Sequence, residues 1–145
     1  AAEAGAQGIL LTDLPAGADP ELEGAAARGG LALVRLLAPT TPRERIPRVA
    51  EGGSGFLYYI SRTGVTGART ELRGELAREI ADLKGLVGMP VAVGFGISSP
   101  AQAAAVAGVA DGVVVGSALV DALDRDGVEG AGAFLRSLRQ AMDGG

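Results

Sequence analysis

The chain has no cysteine, no histidine and no tryptophan among its 145 residues. Disulfides and thiolate metal sites are therefore excluded. The side chain that most often moves protons near neutral pH is missing, so acid–base chemistry falls to Asp, Glu or Tyr. Aromatic residues are scarce, with three Phe and two Tyr. A core must be built from Ala, Val, Leu and Ile, which suits a buried parallel sheet flanked by helices. Basic residues are scattered and the net charge is −4, so there is no nucleic-acid footprint. The apolar runs are too short to span a bilayer. No basic-then-apolar segment opens the chain, and a cytoplasmic location is expected.

Apolar runs and turns alternate regularly. Five short runs read as strands: Gly8 to Thr12, Leu31 to Leu37, Gly55 to Ile60, Pro90 to Val93 and Gly112 to Val115. They lack clean alternation, as strands buried on both faces do. Helix starts lie between them. Asp19-Pro20 offers an N-cap with proline at the first helical position, and Thr41-Pro42-Arg43-Glu44 and Ser99-Pro100-Ala101-Gln102 read as capping boxes. Gly108 reads as the stop of the second of these helices. A further helix is predicted over Arg73 to Leu83, a short helical run over Ala118 to Leu123, and a last helix over Val128 to Met142. In that last helix Ala131, Phe134, Leu135, Leu138 and Met142 share a face.

Strand–helix alternation predicts an α/β domain with parallel strands. A doubly wound open sheet and part of a (β/α)8 barrel both fit the pattern. The barrel is favoured by where glycine is concentrated. Three glycine-rich turns follow strand-like runs: Ser61-Arg62-Thr63-Gly64-Val65-Thr66-Gly67, Gly94-Phe95-Gly96-Ile97-Ser98-Ser99, and Gly116-Ser117. Glycine lets backbone approach a ligand, and amides at a helix start attract anions. Barrels often bind phosphate through the loops after their last two strands and a short extra helix. A doubly wound nucleotide fold would carry its glycine fingerprint after the first strand, where this chain has Thr12-Asp13-Leu14-Pro15.

Each of these glycines alone is an ordinary turn residue in a chain with 24 of them. Ser117 alone reads as a helix cap. Tyr58 and Tyr59 are neighbours and must point to opposite faces of a strand. Phe95, between two glycines, reads as a pocket wall. Arg62 and Arg69, in and just beyond the first glycine turn, read as solvated or as steering an anion.

Four segments resemble the tryptophan synthase α subunit: Leu11-Thr12-Asp13-Leu14-Pro15, Tyr58 to Ala68, Gly94 to Pro100, and Gly116-Ser117-Ala118-Leu119-Val120. They occur in the family's order and cover essentially the whole chain. The resemblance implies a single domain over residues 1–145, the C-terminal part of a (β/α)8 (TIM) barrel from strand four to strand eight, with the N-terminal part absent. The absence of an initiator Met agrees with a fragment. The family cleaves indole-3-glycerol phosphate to indole and glyceraldehyde 3-phosphate by a retro-aldol reaction. It acts with a β subunit that carries pyridoxal phosphate, and needs no metal or cofactor of its own.

The resemblance places the substrate phosphate on Gly67, Gly96, Gly116 and Ser117. It places the indole and glycerol pocket beside Tyr58 and Phe95, with Tyr58 inside the barrel. Thr66 matches a loop threonine that helps organise a catalytic carboxylate, and residues 61–72 match a mobile lid. Asp13 and Pro15 match a surface facing the β subunit. The family's two catalytic carboxylates match no residue here, so this chain alone is expected to be inactive. Other readings are a different phosphate-handling barrel enzyme, or a non-catalytic subunit binding phosphate or a partner. Five strands leave two open edges, so the isolated chain is expected to be weakly stable or oligomeric.

Overall fold

In the computed structural model, which describes residues 1–61, 70–94 and 96–144, five strands alternate with helices. The strands are β1 (Gly8–Leu10), β2 (Ala32–Leu37), β3 (Leu57–Ile60), β4 (Val91–Gly94) and β5 (Gly112–Val114). They pair in chain order, and every pair is parallel. A doubly wound sheet would reverse its order at a switch point, and this sheet has no reversal. The chain is a half-barrel, part of the TIM-barrel architecture, with β1 and β5 each paired on one side among the described residues.

The helices are α1 (Pro20–Arg28), α2 (Ile46–Ala50), α3 (Thr70–Val87), α4 (Pro100–Ala107) and α5 (Ser117–Asp143). Their starts follow local chemistry. Asp19 caps α1, its carboxylate accepting the Leu22 amide at 3.0 Å, and Pro20 sits at the first position. Ser99 and Gln102 form the expected capping box of α4. α5 is two helices merged across Gly127, whose φ of +67° and ψ of −168° interrupt the helix. Only glycine adopts that conformation cheaply, which explains why the sequence reads as a short helix and then a long one.

Two expectations need correction. Thr41 does not cap a helix. Pro42 takes the cap position with extended ψ (140°), a 3-10 turn follows over Arg43–Arg45, and no side-chain cap bond forms there. The Thr41 amide instead closes a turn onto the Ala38 carbonyl at 3.0 Å. The third helix also begins earlier and ends later than Arg73 to Leu83. Gly85 lies inside the helix, and the positive φ (+61°) comes at Gly88, beyond its end.

The sheet has two unlike faces. Leu37, Leu57, Tyr59, Val91 and Val93 face outward and pack with Ile46, Leu76, Ile80, Leu83, Ala103, Val106 and Leu138. This is the main core. The opposite face carries the register layer Leu36–Tyr58–Ala92–Gly112 and, above it, Ile60–Gly94–Val114. Alternation along each strand puts these residues on the concave side. Glycine and alanine recur there because the concave face is crowded: a Cβ on Gly112 would lie 3.2 Å from the Ala92 Cβ.

Polar groups pin the ends of the sheet. Asp111 accepts the Val91 amide at 2.8 Å and the Lys84 ammonium at 2.9 Å, tying the starts of β4 and β5 to α3. Lys84 first, and the Val91 amide second, hold the Asp111 carboxyl below its ordinary value. On the outer face, buried Arg35 of β2 donates to Glu23 of α1 at 2.6 Å. Among the described residues no helix is long and apolar enough to cross a membrane.

Candidate phosphate-binding site

The site lies where β3, β4 and β5 end. Strands of such sheets present their carboxyl ends to ligands, because the turns into the following helices gather there. Tyr58 of β3 is half-buried on the concave face, while Tyr59 is buried against the helices, its hydroxyl donating to Glu79 Oε2 at 3.0 Å. The expected division of the two tyrosines therefore holds. Tyr58 reaches over its neighbour: a Cβ built on Gly94 would lie 2.6 Å from the Tyr58 Oη and 2.7 Å from its Cε2. Gly94 lacks a side chain where the tyrosine ring needs the space.

Beyond β4 the chain turns at Gly96, whose φ of +68° favours glycine. The turn is then locked. Gln102 Oε1 accepts from the Ser98 amide at 2.8 Å and from the Ser99 amide at 3.1 Å. Those two amides are engaged within the protein, although Ser98 borders the cavity together with Gly96 and Ile97.

Beyond β5, Gly116 is the N-cap of α5 and Ser117 the first helical residue. Ser117 is therefore not the cap, contrary to one reading of the sequence. Gly116 has a φ of −110°, so its glycine is not required by a left-handed backbone. The Gly116 carbonyl accepts from the Leu119 and Val120 amides. No side chain caps this helix. The amides of Ser117 and Ala118 come before the first intrahelical donor, and they carry the positive end of the helix dipole.

Tyr58, Gly96, Ile97, Ser98, Val114, Gly116, Ser117, Ala118 and Asp121 line one cavity of about 390 Å³. Three chain segments thus meet at one place. A second cavity, of about 160 Å³, lies in the helix layer against Leu37, Ile46, Tyr59 and Leu83. No glycine turn borders it. Of the site residues expected from sequence, Tyr58, Gly96, Gly116 and Ser117 are brought together. Thr66, Gly67 and Phe95 lie outside the described residues, as does most of the lid segment.

Asp13 and Pro15 stand apart from this cavity, exposed on the turn between β1 and α1. The turn is braced. Glu23 Oε1 accepts the Gly17 amide at 2.9 Å as well as the Arg35 guanidinium. Arg35 first, and the Gly17 amide second, hold the Glu23 carboxyl below its ordinary value.

Sequence reasoning passed over Asp121. It lies four residues after Ser117, on the same helical face. That spacing was the available signal, but it needed the start of α5 to be placed first.

A family model described as tryptophan synthase alpha chain matches residues 1–142. The tryptophan synthase alpha chain of Novosphingobium aromaticivorans is 49% identical over 130 residues, covering 90% of this chain and 49% of its own. That of Geotalea daltonii is 53% identical over 120 residues, covering 83% of this chain and 46% of its own. The chain spans about half the length of the curated relatives it matches. Among solved structures, tryptophan synthase from M. tuberculosis in an aminoacrylate-bound form superposes with a TM-score of 0.82 and 32% identity, over 97% of this chain and 52% of that one. The tryptophan synthase alpha subunit of Legionella pneumophila superposes with a TM-score of 0.82 and 36% identity, over 98% and 54%.

Proposed function

Because this chain belongs to the tryptophan synthase alpha chain family, we propose that it forms the phosphate-holding part of an enzyme that cleaves indole-3-glycerol phosphate to indole and glyceraldehyde 3-phosphate. The observation that carries the reading is the meeting of the Gly96 turn and the α5 N-terminus in one cavity beside Tyr58. A phosphate ester there receives backbone N–H groups of Ser117 and Ala118, the Ser117 hydroxyl and the positive end of α5. Gly96 and Gly116 let the ester approach the backbone. Gly67 would add a third turn. The indole and glycerol part extends past Tyr58 and toward Phe95.

Anchoring at the phosphate supplies binding energy remote from the bond that breaks. The reaction itself needs proton transfer. The glycerol hydroxyl must lose a proton as its carbon becomes a carbonyl, and the indole carbon must gain one as the C–C bond breaks. Asp121 is the one carboxylate lining the cavity among the described residues, and it stands at the phosphate end. The family's two catalytic carboxylates have no match in this sequence. The chain alone is therefore expected to bind without turnover, with Thr66 positioning a carboxylate that this chain does not contribute.

The partner reading follows from the same membership. Asp13 and Pro15, exposed on a braced turn, would face a pyridoxal-phosphate β subunit. This chain would need no cofactor of its own.

Calorimetric titration with an indolyl alkyl phosphate and with the matching alcohol tests the reading. Charge-assisted hydrogen bonds contribute about 1.5–3 kcal/mol each, so the phosphate should tighten binding at least roughly tenfold. Equal affinity for ester and alcohol would refute the phosphate site. Release of indole by the chain alone would refute the assignment of proton transfer to residues outside it.

A further inference from the structure

We propose that Asp121 is a specificity-determining residue that weakens the hold of this site on dianions more than on monoanions. The inference rests on the phosphate reading above and deepens it.

Asp121 lines the cavity one helical turn beyond Ser117. Its carboxylate accepts no hydrogen bond and joins no ion pair among the described residues. The nearest cation along the helix is Arg125, and that guanidinium is committed elsewhere. Its Nε and Nη2 donate to Asp126 Oδ2 at 2.9 and 2.7 Å. Arg125 therefore feels Asp121 only as a secondary charge. No Lys or Arg among the described residues lines the cavity.

The site thus opposes two kinds of electrostatics. Backbone amides and the helix dipole attract an anion at short range. One carboxylate, one turn away, repels it through water. Hydrogen bonds are directional and fall off quickly, whereas the repulsion scales with the charge of the ligand. A dianion bears about twice the penalty of a monoanion, whether or not it is esterified. An ester whose organic part also packs beside Tyr58 keeps a second source of affinity. Asp121 therefore weakens every dianionic phosphate relative to a singly charged diester, and small dianions, which lack the contact beside Tyr58, are left the most weakly held.

The test is a titration of the full chain by calorimetry at low salt. The probes are inorganic phosphate at pH 8, where it is mostly a dianion, and the singly charged dimethyl phosphate. Replacing Asp121 by Asn should tighten inorganic phosphate about fivefold, the size of a screened repulsion between a unit charge and a dianion across several ångströms of water. The gain for dimethyl phosphate should be about half as large on a logarithmic scale. Both gains should shrink at 0.5 M salt, where the Debye length is a few ångströms. Asp124→Asn, which removes the same charge from the same helix outside the cavity lining, should change little.

Failure of this inference is distinct from failure of the phosphate reading. If phosphate binds and Ser117→Ala weakens it, but Asp121→Asn leaves the affinity unchanged, the role of Asp121 is refuted and the cradle stands. Equal gains from Asp121→Asn and Asp124→Asn also refute it, in favour of net charge. If neither the unaltered chain nor Asp121→Asn binds phosphate while circular dichroism shows folded protein, both readings fall.

Discussion

Replacing Glu23 by alanine should destabilise the chain by about 3 kcal/mol, the lower end of the cost of leaving a buried charge without its partner. Arg35 is 5% exposed and Glu23 19%. The Arg35 Nε has no hydrogen-bond partner among the described residues, and the other polar contact of the guanidinium is a long one, 3.4 Å from Nη2 to the Glu51 carbonyl. Without Glu23 the guanidinium would stay buried in the outer layer with little compensation. The lower end applies because water reaches the Glu23 side. Urea unfolding of Glu23→Ala measures the loss, and the double replacement Glu23→Leu with Arg35→Met should recover most of it. A loss below about 0.5 kcal/mol would place this pair with ordinary surface salt bridges.

The same pair makes an acid-side prediction. The folded-state Glu23 carboxyl titrates below its ordinary value of 4.5. The folded state therefore holds its proton less tightly than the unfolded chain. The resulting stability is present in full above pH 4.5 and is lost as pH falls through the lowered value. Melting temperature should fall on acidification below that point, and fall less steeply in the double variant. Because Glu23 also holds the Gly17 amide, its protonation should loosen the turn that carries Asp13 and Pro15.

Gly94→Ala is expected to disable the site without emptying the core. The new methyl would lie 2.6 Å from the Tyr58 Oη, well inside van der Waals contact. β3 is hydrogen-bonded to β2 and β4 on both sides, so the backbone cannot yield easily and the ring must move. Overpacking of this kind costs about 1–3 kcal/mol. The displaced ring would also cease to wall the cavity, so affinity for an indolyl alkyl phosphate should drop roughly tenfold or more, as a 1.4 kcal/mol loss implies. Val93→Ala, on the opposite face, should cost stability but leave the affinity of the folded chain intact. Unchanged affinity in Gly94→Ala would mean that Tyr58 does not shape the ligand site.

Much of this fold was legible because strong local signals and tertiary structure agree. Asp19-Pro20 and Ser99-Pro100-Ala101-Gln102 carry their caps in the sequence, and both form. The strands were placed to within a few residues because turn glycines bracket them. Thr41 misled for a physical reason: a capping box needs a helix that starts at the following residue, and the Arg43–Arg45 turn is too short and too tightly wound to use one. Ser117 was read as a cap because its identity suits one, but the position of a cap depends on backbone geometry, and Gly116 takes it.

Within the site, Gly96 was identifiable as a positive-φ glycine. Gly94 was not, because its role is set by a side chain on a neighbouring strand. Asp121 was missed for a similar reason. Its importance comes from facing a cavity built by two other segments, which no linear motif encodes.

Amide chemical shifts followed during titration with a phosphate ester test the central claim most directly. Coordinated, saturable shifts at Gly96, Gly116, Ser117 and Ala118, fitting a single dissociation constant and attenuated in Ser117→Ala, are the expected result. Shifts confined to the helix-layer cavity around Ile46 and Leu83, or none at the ends of β4 and β5, would contradict it.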